Sequence, residues 1–378
     1  MNNGQANKVG AITFHRAINY GAVLQAYALQ EAVKKLGFQY ELIDYRNSVL
    51  ERVHKERRLS DCKSPKAILK HLLYASIYNR KHKKFREFLD DYLSISTPCF
   101  TSEDLRKLSS RYTKVITGSD QVFNCNITGF DKAYFLDFIE EREKKTSYAA
   151  SFGFSTVPGE FIEEYKQLLA DFSYLTVRER DGAKIVKELL GKEPEVVLDP
   201  VMLLSKEEWA SIAKEHTKKK NYILLYAFKG SKRLHSFVEN LSKQTGCEIV
   251  YISFSLVRKL NAVYEKCVGP TEFLGLFKNA RYVVTNSFHG TAFSINFNKD
   301  FFMELLPEEQ KVNSRLTNIL NVFNLRSRQI VDGENAYIDQ PVNYEEVNKI
   351  LKQEREKSLN CLQDILGKGC GRVEGMNQ

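Results

Sequence analysis

The chain lacks any run of about 18 apolar residues, so no segment of it reads as a membrane-spanning helix. It has no CxxC pair and no Cys/His spacing of the kind that holds zinc; its seven cysteines are scattered and odd in number. A disulfide framework and a structural zinc are thereby set aside, no metal is expected, and the absence of a secretory leader pattern adds to the expectation of a reducing, cytoplasmic setting. There is no GxGxxG, so a dinucleotide fingerprint is not supported. No recognisable nucleic-acid module accompanies the formal net charge of +9, and that charge is spread along the chain. The surplus suits an acidic partner, either a phosphorylated metabolite or an anionic membrane surface.

What is present is ordinary for a globular protein: 43% apolar and 27% charged residues over 378 positions, too long for one typical core. The organising stretch is Tyr282-Val283-Val284-Thr285-Asn286-Ser287-Phe288-His289-Gly290-Thr291. Its apolar, β-branched start reads as a buried parallel strand, and Ala292, Phe293 and Ile295 continue at helical spacing. The polar cluster therefore lies where a strand's carboxyl end meets a helix's N-terminus, which in open α/β sheets is where ligands bind and where free N–H groups favour an anion. A helix cap at Thr285, Asn286 or Ser287 beside a structural histidine is the plainer reading of the same residues.

The pattern repeats along the chain. Val9–Phe14 reads as a strand, Val23–Leu36 as a helix stopped by Gly37, and Tyr40–Tyr45 as a strand, with Asn19-Tyr20-Gly21 at the first strand-to-helix turn. Strands at Tyr112–Thr117, from Lys145 and from Tyr174 each run into a polar or charged cluster: Gly118-Ser119-Asp120-Gln121, Ser151-Phe152-Gly153 and Arg178-Glu179-Arg180-Asp181. Val196–Val201 closes this half. The second half has strands at Tyr222–Phe228, Glu248–Phe254, Tyr282–Val284 and Phe301–Leu305, with helices over 231–245, 271–279 and 313–323. The expectation is a mainly parallel, doubly wound α/β protein: an N-terminal unit over 8–203, a C-terminal unit over 204–340, a long amphipathic helix over 341–367 packing back across both, and a disordered tail over 368–378. Residues 46–95 form a basic helical insertion in the first unit, expected to present a solvated face that includes Lys81, Lys83 and Lys84, or a surface that meets an anionic membrane or a charged acceptor.

Taken in order, Asn19–Leu29, Gly118-Ser119-Asp120-Gln121-Val122, Tyr148–Gly153, Val177-Arg178-Glu179, Leu198-Asp199-Pro200 and Ser287-Phe288-His289-Gly290 resemble the polysaccharide pyruvyltransferases over about residues 8–330. The resemblance implies two Rossmann-like lobes facing a cleft, as in glycosyltransferases of the B type. It implies transfer of the pyruvyl group of phosphoenolpyruvate onto two hydroxyls of a sugar in a cell-surface glycan or its lipid-linked precursor, forming a ketal and releasing phosphate. Phosphoenolpyruvate is then a co-substrate, and no cofactor is implied. In many members acting on surface polymers the last motif reads Arg-Leu-His; here Ser287 stands where they carry arginine, so other cations must meet the donor's charge.

The donor's phosphate and carboxylate call for fixed cations and N–H groups: Arg178, Lys311 and Arg315, with Ser287 and Gly290 at the helix start. His289 is the candidate acid/base or phosphate ligand, and Asp120 the carboxylate to orient or deprotonate an acceptor hydroxyl. Asn19, Tyr20, Gly21 and Gln121 are placed on the acceptor side, His15 near it, and Cys125 is an apolar filler. Two other readings stay open: a glycosyltransferase using a nucleotide sugar, with Glu304 as the carboxylate for a ribose, and a non-catalytic glycan-binding protein.

Overall fold

A computed structural model describes residues 7–54, 64–216, 219–228, 230–255, 257–306, 313–331 and 340–367. The first half runs β1 (Lys8–Ile12), α1 (Tyr20–Lys35), β2 (Gln39–Leu42), α2 (Ser48–His54), α3 (Pro65–Tyr92), α4 (Ser102–Ser109), β3 (Lys114–Thr117), α5 (Cys125–Thr128), β4 (Lys145–Ser147), α6 (Ile162–Ala170), β5 (Thr176–Val177), α7 (Arg180–Leu190) and β6 (Glu195–Val196). After a turn at Pro200–Met202 come α8 (Lys206–Ile212), β7 (Ile223–Tyr226), α9 (Lys232–Thr245), β8 (Ile249–Ile252), β9 (Val263–Glu265), α10 (Pro270–Asn279), β10 (Tyr282–Thr285), α11 (Phe288–Asn296), β11 (Asp300–Met303), α12 (Asn313–Val322) and α13 (Tyr344–Ile365).

Strand order explains where the site lies. The first sheet is β2-β1-β3-β4, extended by single parallel bridges to β5 and its partner β6; the second is β11-β10-β7-β8-β9. Each reverses its winding direction once, between β1 and β3 in the first and between β7 and β10 in the second, and all the ladders described are parallel. At such a reversal the outgoing loops diverge and leave a crevice beyond the strands' carboxyl ends. The two crevices face each other. The apolar runs of the sequence mark these strands correctly, but the polar ends fall outside them: β5 is only two residues long, and the charge after Arg178 opens α7 rather than ending a strand. Gly37 and Gly246 stop α1 and α9 in the left-handed region, with φ of 83° and 67°.

The lobes share one apolar core. Tyr20 stacks on Phe273 of α10 with ring centroids 4.3 Å apart, and the buried Trp209 lies 5.7 Å from Tyr27 and 5.2 Å from Phe293. α13 bridges them as expected from its pattern: Tyr344 donates to Ser294 O in the second lobe, while Ser358 accepts from Leu198 N and Cys361 packs on Tyr174 in the first. No helix among the described residues is long and apolar enough to cross a membrane.

The basic insertion departs from a purely solvated face. Lys81 is buried, its Nζ 4.5 Å from the Tyr20 ring centroid and 4.0 Å from that of Phe254, and burial lowers its pKa to about 7. One turn on, Lys84 reaches across to Glu272 of α10, which His216 also approaches at 3.5 Å while lying 2.8 Å from Glu265. Bonds to Glu265 and Glu272 outweigh burial and raise the His216 pKa to about 9. A histidine raised on folding stabilises the fold fully below its unfolded value, near ~6.5, and that contribution drains as pH rises through the folded value. Thermal unfolding of the wild type should therefore lose ground to a His216→Gln variant between about pH 6.5 and 9; parallel melting curves across that window would refute the assignment.

Candidate functional site

The facing crevices form a cleft of about 520 Å³ lined by Asn19, Asp120, Gln121, Asn124 and Asn126 from the first lobe and by Tyr226, Phe228, Asn286, Ser287, His289 and Arg315 from the second, among others. Each polar residue is fixed by its place at a strand end. On β10, the Thr285 hydroxyl donates to Tyr226 O at 2.6 Å and accepts from Ser287 N, while Asn286 Oδ1 accepts from Phe228 N at 2.8 Å, which ties together the two strands at the reversal point. Ser287 caps α11, accepting from Gly290 N at 3.3 Å. A Cβ on Gly290 would collide with the Thr285 side chain, so this glycine serves the tight strand-to-helix corner.

Across the cleft, Asn19 caps α1 by accepting from Gly21 N at 2.9 Å. Gly21 itself does not line the cleft. A Cβ there would fall inside the His289 imidazole, so the position must be glycine for the second lobe's histidine to seat on the first lobe's helix start. Asp120 holds a left-handed conformation at φ 81°, rare outside glycine, and its carboxylate accepts from Gln121 N at 2.9 Å. Gln121 accepts from Asn124 and occupies space that a side chain on Gly153 would fill.

Behind His289 lies a buried ionic layer. His289 Nε2 is 3.7 Å from Asp199 Oδ2, beyond hydrogen-bond reach, and is buried without a partner. Asp199 accepts instead from Arg178 Nη1 at 2.7 Å, from Ser119 Oγ at 2.8 Å and from Val201 N at 3.0 Å. Burial works against its charge, but the His289 ring and Arg178 beside it hold the carboxyl well below the ordinary range. Arg178 is 3% exposed, with Phe288 over its guanidinium at 4.6 Å and Glu179 Oε2 3.5 Å from Nε. Burial opposes its charge too, and Asp199, Glu179 and Asp120 outweigh it, raising the pKa. Arg315 differs: it lines the cleft, its buried Nε has no partner, and burial together with the nearby Arg178 lowers its pKa against the pull of Glu179, Asp120 and Asp199.

Of the residues expected from sequence, Asn19, Asp120, Gln121, Ser287, His289 and Arg315 meet on the cleft. Arg178 stands one layer behind it, Gly21 and Gly290 shape its walls, and Tyr20 lies in the core with its hydroxyl donating to Val268 O. His15 faces Asp44 rather than the cleft, and Cys125 is buried as a filler should be. Glu304 is buried, accepting from Ser231 at 2.5 Å. Lys311 lies outside the described residues. Asp199 was missed as a site residue because Leu198-Asp199-Pro200 reads as a junction between halves; the signal available was the one used elsewhere, an acid directly after an apolar strand run. Among the described residues no group of three or more metal-ligating side chains occurs.

A family model for the polysaccharide pyruvyl transferases matches residues 19–303, well over half of the chain, and spans the N-terminal turn, the ionic layer and the His289 corner. The protein belongs to the polysaccharide pyruvyl transferase family. No curated protein matches in sequence. Among solved structures, UDP-GlcNAc 2-epimerase from Methanocaldococcus jannaschii is similar at 13% identity and a TM-score of 0.50, covering 96% of this chain and 100% of that one. UDP-GlcNAc 2-epimerase from Neisseria meningitidis (11% identity, TM-score 0.48, 96% and 100% covered) and the glycosyltransferase SnogD from Streptomyces nogalater (9%, 0.43, 96% and 98%) also align. The M. jannaschii likeness agrees with the two-lobed, glycosyltransferase-B-like fold.

Proposed function

We propose that the protein moves the pyruvyl group of phosphoenolpyruvate onto two hydroxyls of a glycan or lipid-linked sugar as a cyclic ketal, with inorganic phosphate as the second product. The observation that carries this reading is the pairing, on one cleft, of the Asp199-backed His289 with Arg315, whose buried Nε has no hydrogen-bond partner among the described residues. A dianionic donor would supply an acceptor for that Nε–H, and N–H groups at the start of α11 would help to hold it.

The steps balance without a metal or nucleotide. His289 gives a proton to C3 of the enol phosphate as the first sugar hydroxyl bonds to C2, its proton passing to the Asp120 carboxylate. The resulting carbon carries methyl, carboxylate, phosphate and sugar oxygen. The C2–O bond to phosphate then breaks, the second hydroxyl adds to C2, and its proton leaves through the same groups. Asp199 places a fixed negative charge 3.7 Å behind the imidazole, while Arg315 meets the departing phosphate. Phe228, 79% exposed on the cleft rim, offers a ring face to the sugar's C–H bonds.

Phosphoenolpyruvate at a hundred times its dissociation constant should stabilise the protein by about 2.7 kcal/mol in thermal unfolding, and Arg315→Gln should remove most of that shift. If phosphoenolpyruvate gives no shift and a nucleotide sugar does, the donor belongs to the class named for the M. jannaschii protein, and Glu304 becomes the residue to test against a ribose. If both leave the melt unchanged while a glycan shifts it, the protein binds glycan without transferring to it.

A further inference from the structure

Lys81 of α3 is a buried cation that the proposed chemistry does not use. It is 4% exposed, and its amine makes no hydrogen bond or ion pair among the described residues. Three rings surround it instead. Tyr20 and Phe85 of the first lobe lie 4.5 and 5.3 Å from Nζ, and Phe254, from the segment that follows β8 in the second lobe, lies at 4.0 Å. Such a cage attracts an ammonium but returns only part of the hydration that the group gives up. A methionine would fill the same space without that loss.

The charges nearby are committed elsewhere. Glu272 of α10 accepts from Lys84 at 2.6 Å and lies 3.5 Å from His216, which also meets Glu265 at 2.8 Å. His82, next to Lys81 on α3, packs its ring on Tyr78 at 4.1 Å. On α1, burial pushes the Tyr20 hydroxyl well up, so it stays neutral, and it donates to Val268 O. Cys267, whose thiol donates to Ile77 O at 3.6 Å, favours the charged amine, but burial outweighs it.

The cage sits on the joint that seats the histidine. Tyr20 stacks on Phe273 of α10 and directly precedes Gly21, against which the His289 ring rests. A shift of the Tyr20 ring therefore carries the start of α1 with it, relative to the start of α11.

We propose that Lys81 is a positioning residue: its amine, shared among rings of both lobes, sets how Tyr20 and Phe254 approach, and through Tyr20 it sets the seat of His289 on Gly21. The contact depends on a proton. Burial between the lobes lowers the amine's pKa from its ordinary 10.5 to about 7. The docked arrangement is then favoured fully above the ordinary value, and that advantage drains as pH falls toward the lowered one. The importance of this for catalysis rests on the proposed function; the contact and the seat do not.

Trp209, the single tryptophan of the sequence, packs between Tyr27 of α1 and Phe293 of α11, the two helices whose starts form the seat. Acrylamide quenching of its fluorescence in the full chain reads the joint with no donor present. Between about pH 9.5 and pH 7 wild type should become about twofold more quenchable, while Lys81→Met, which fills the cage without a charge, should stay protected throughout. Both proteins carry His216, so its titration cancels in the comparison. Lys81→Ala, which empties the cage, should be quenchable at every pH and regain protection when propylamine is added. Carbethoxylation of His289, followed by peptide mass spectrometry, should rise and fall with the quenching. Equal pH profiles in wild type and Lys81→Met overturn the proton dependence. A Lys81→Ala protein as protected as wild type overturns the contact, and His289 reactivity that ignores all three changes overturns the link to the seat. With phosphoenolpyruvate and acceptor, kcat of wild type should rise from about pH 7 to 9 relative to Lys81→Met. If phosphoenolpyruvate is not the donor, only that last comparison is lost, and the donor-free readouts still decide.

Discussion

His289→Ala should lower phosphate release from phosphoenolpyruvate in the presence of acceptor by roughly 10²–10⁴-fold, the usual contribution of a positioned acid/base. The argument rests on what surrounds the ring. One nitrogen faces a carboxylate locked in place by three other donors, and α1 approaches so closely that only glycine fits at position 21. A histidine kept only for packing would not need a charged layer built behind it. The loss should fall on kcat, because the proton transfer occurs in the transition state. A His289→Ala enzyme whose kcat is intact and whose KM alone rises would move the histidine from proton transfer to donor binding.

Asp199→Asn should cost about 3–5 kcal/mol in chemical denaturation, the usual result of removing one member of a buried ion pair. The amide keeps the oxygen that accepts from Val201 N, so backbone geometry is preserved and the lost charge is what is measured. Arg178 would then keep Glu179, whose nearer oxygen is 3.5 Å from Nε and has no hydrogen bond of its own, and the more distant charge of Asp120. Because folding depresses the Asp199 pKa, its contribution is present above the unfolded value, near ~4, and drains as pH falls toward the folded one. Wild type and variant should differ at neutral pH and converge in acid. A variant as stable as wild type at pH 7 would mean that Arg178 finds full compensation elsewhere.

The fold was legible because burial on both faces makes parallel strands read as apolar runs, and the glycines at 37 and 246 mark helix ends by backbone geometry alone. The cleft residues were legible for a related reason: they follow directly on such apolar runs, at the strands' carboxyl ends, even where, as at Asn19 and Ser287, they also cap a helix. Depth was not legible. Arg178 and Arg315 look alike in sequence, yet one is neutralised in a buried layer and the other waits on the cleft, a difference set by Asp199 twenty-one residues from Arg178 and by an α12 that approaches from the other lobe. Tyr20 and Lys81 fail for the same reason. Each was read from its local neighbours, Tyr20 as part of a cleft turn and Lys81 as part of a solvated face, and each is claimed by the opposite lobe.

The seating of His289 on Gly21 has a consequence for side reactions. The imidazole belongs to one lobe, the backbone that cradles it to the other, and its carboxylate to the segment between them. The His289 seat, and with it the proton-transfer unit proposed above, therefore depends on both lobes. An enol phosphate held in a parted cleft would meet plentiful water, the most abundant competing hydroxyl, with no assembled group to protonate it. On the proposed reading, catalytic competence and exclusion of water would be one geometric condition, and wasteful hydrolysis of the donor would be suppressed by the way the site is divided rather than by a separate gate.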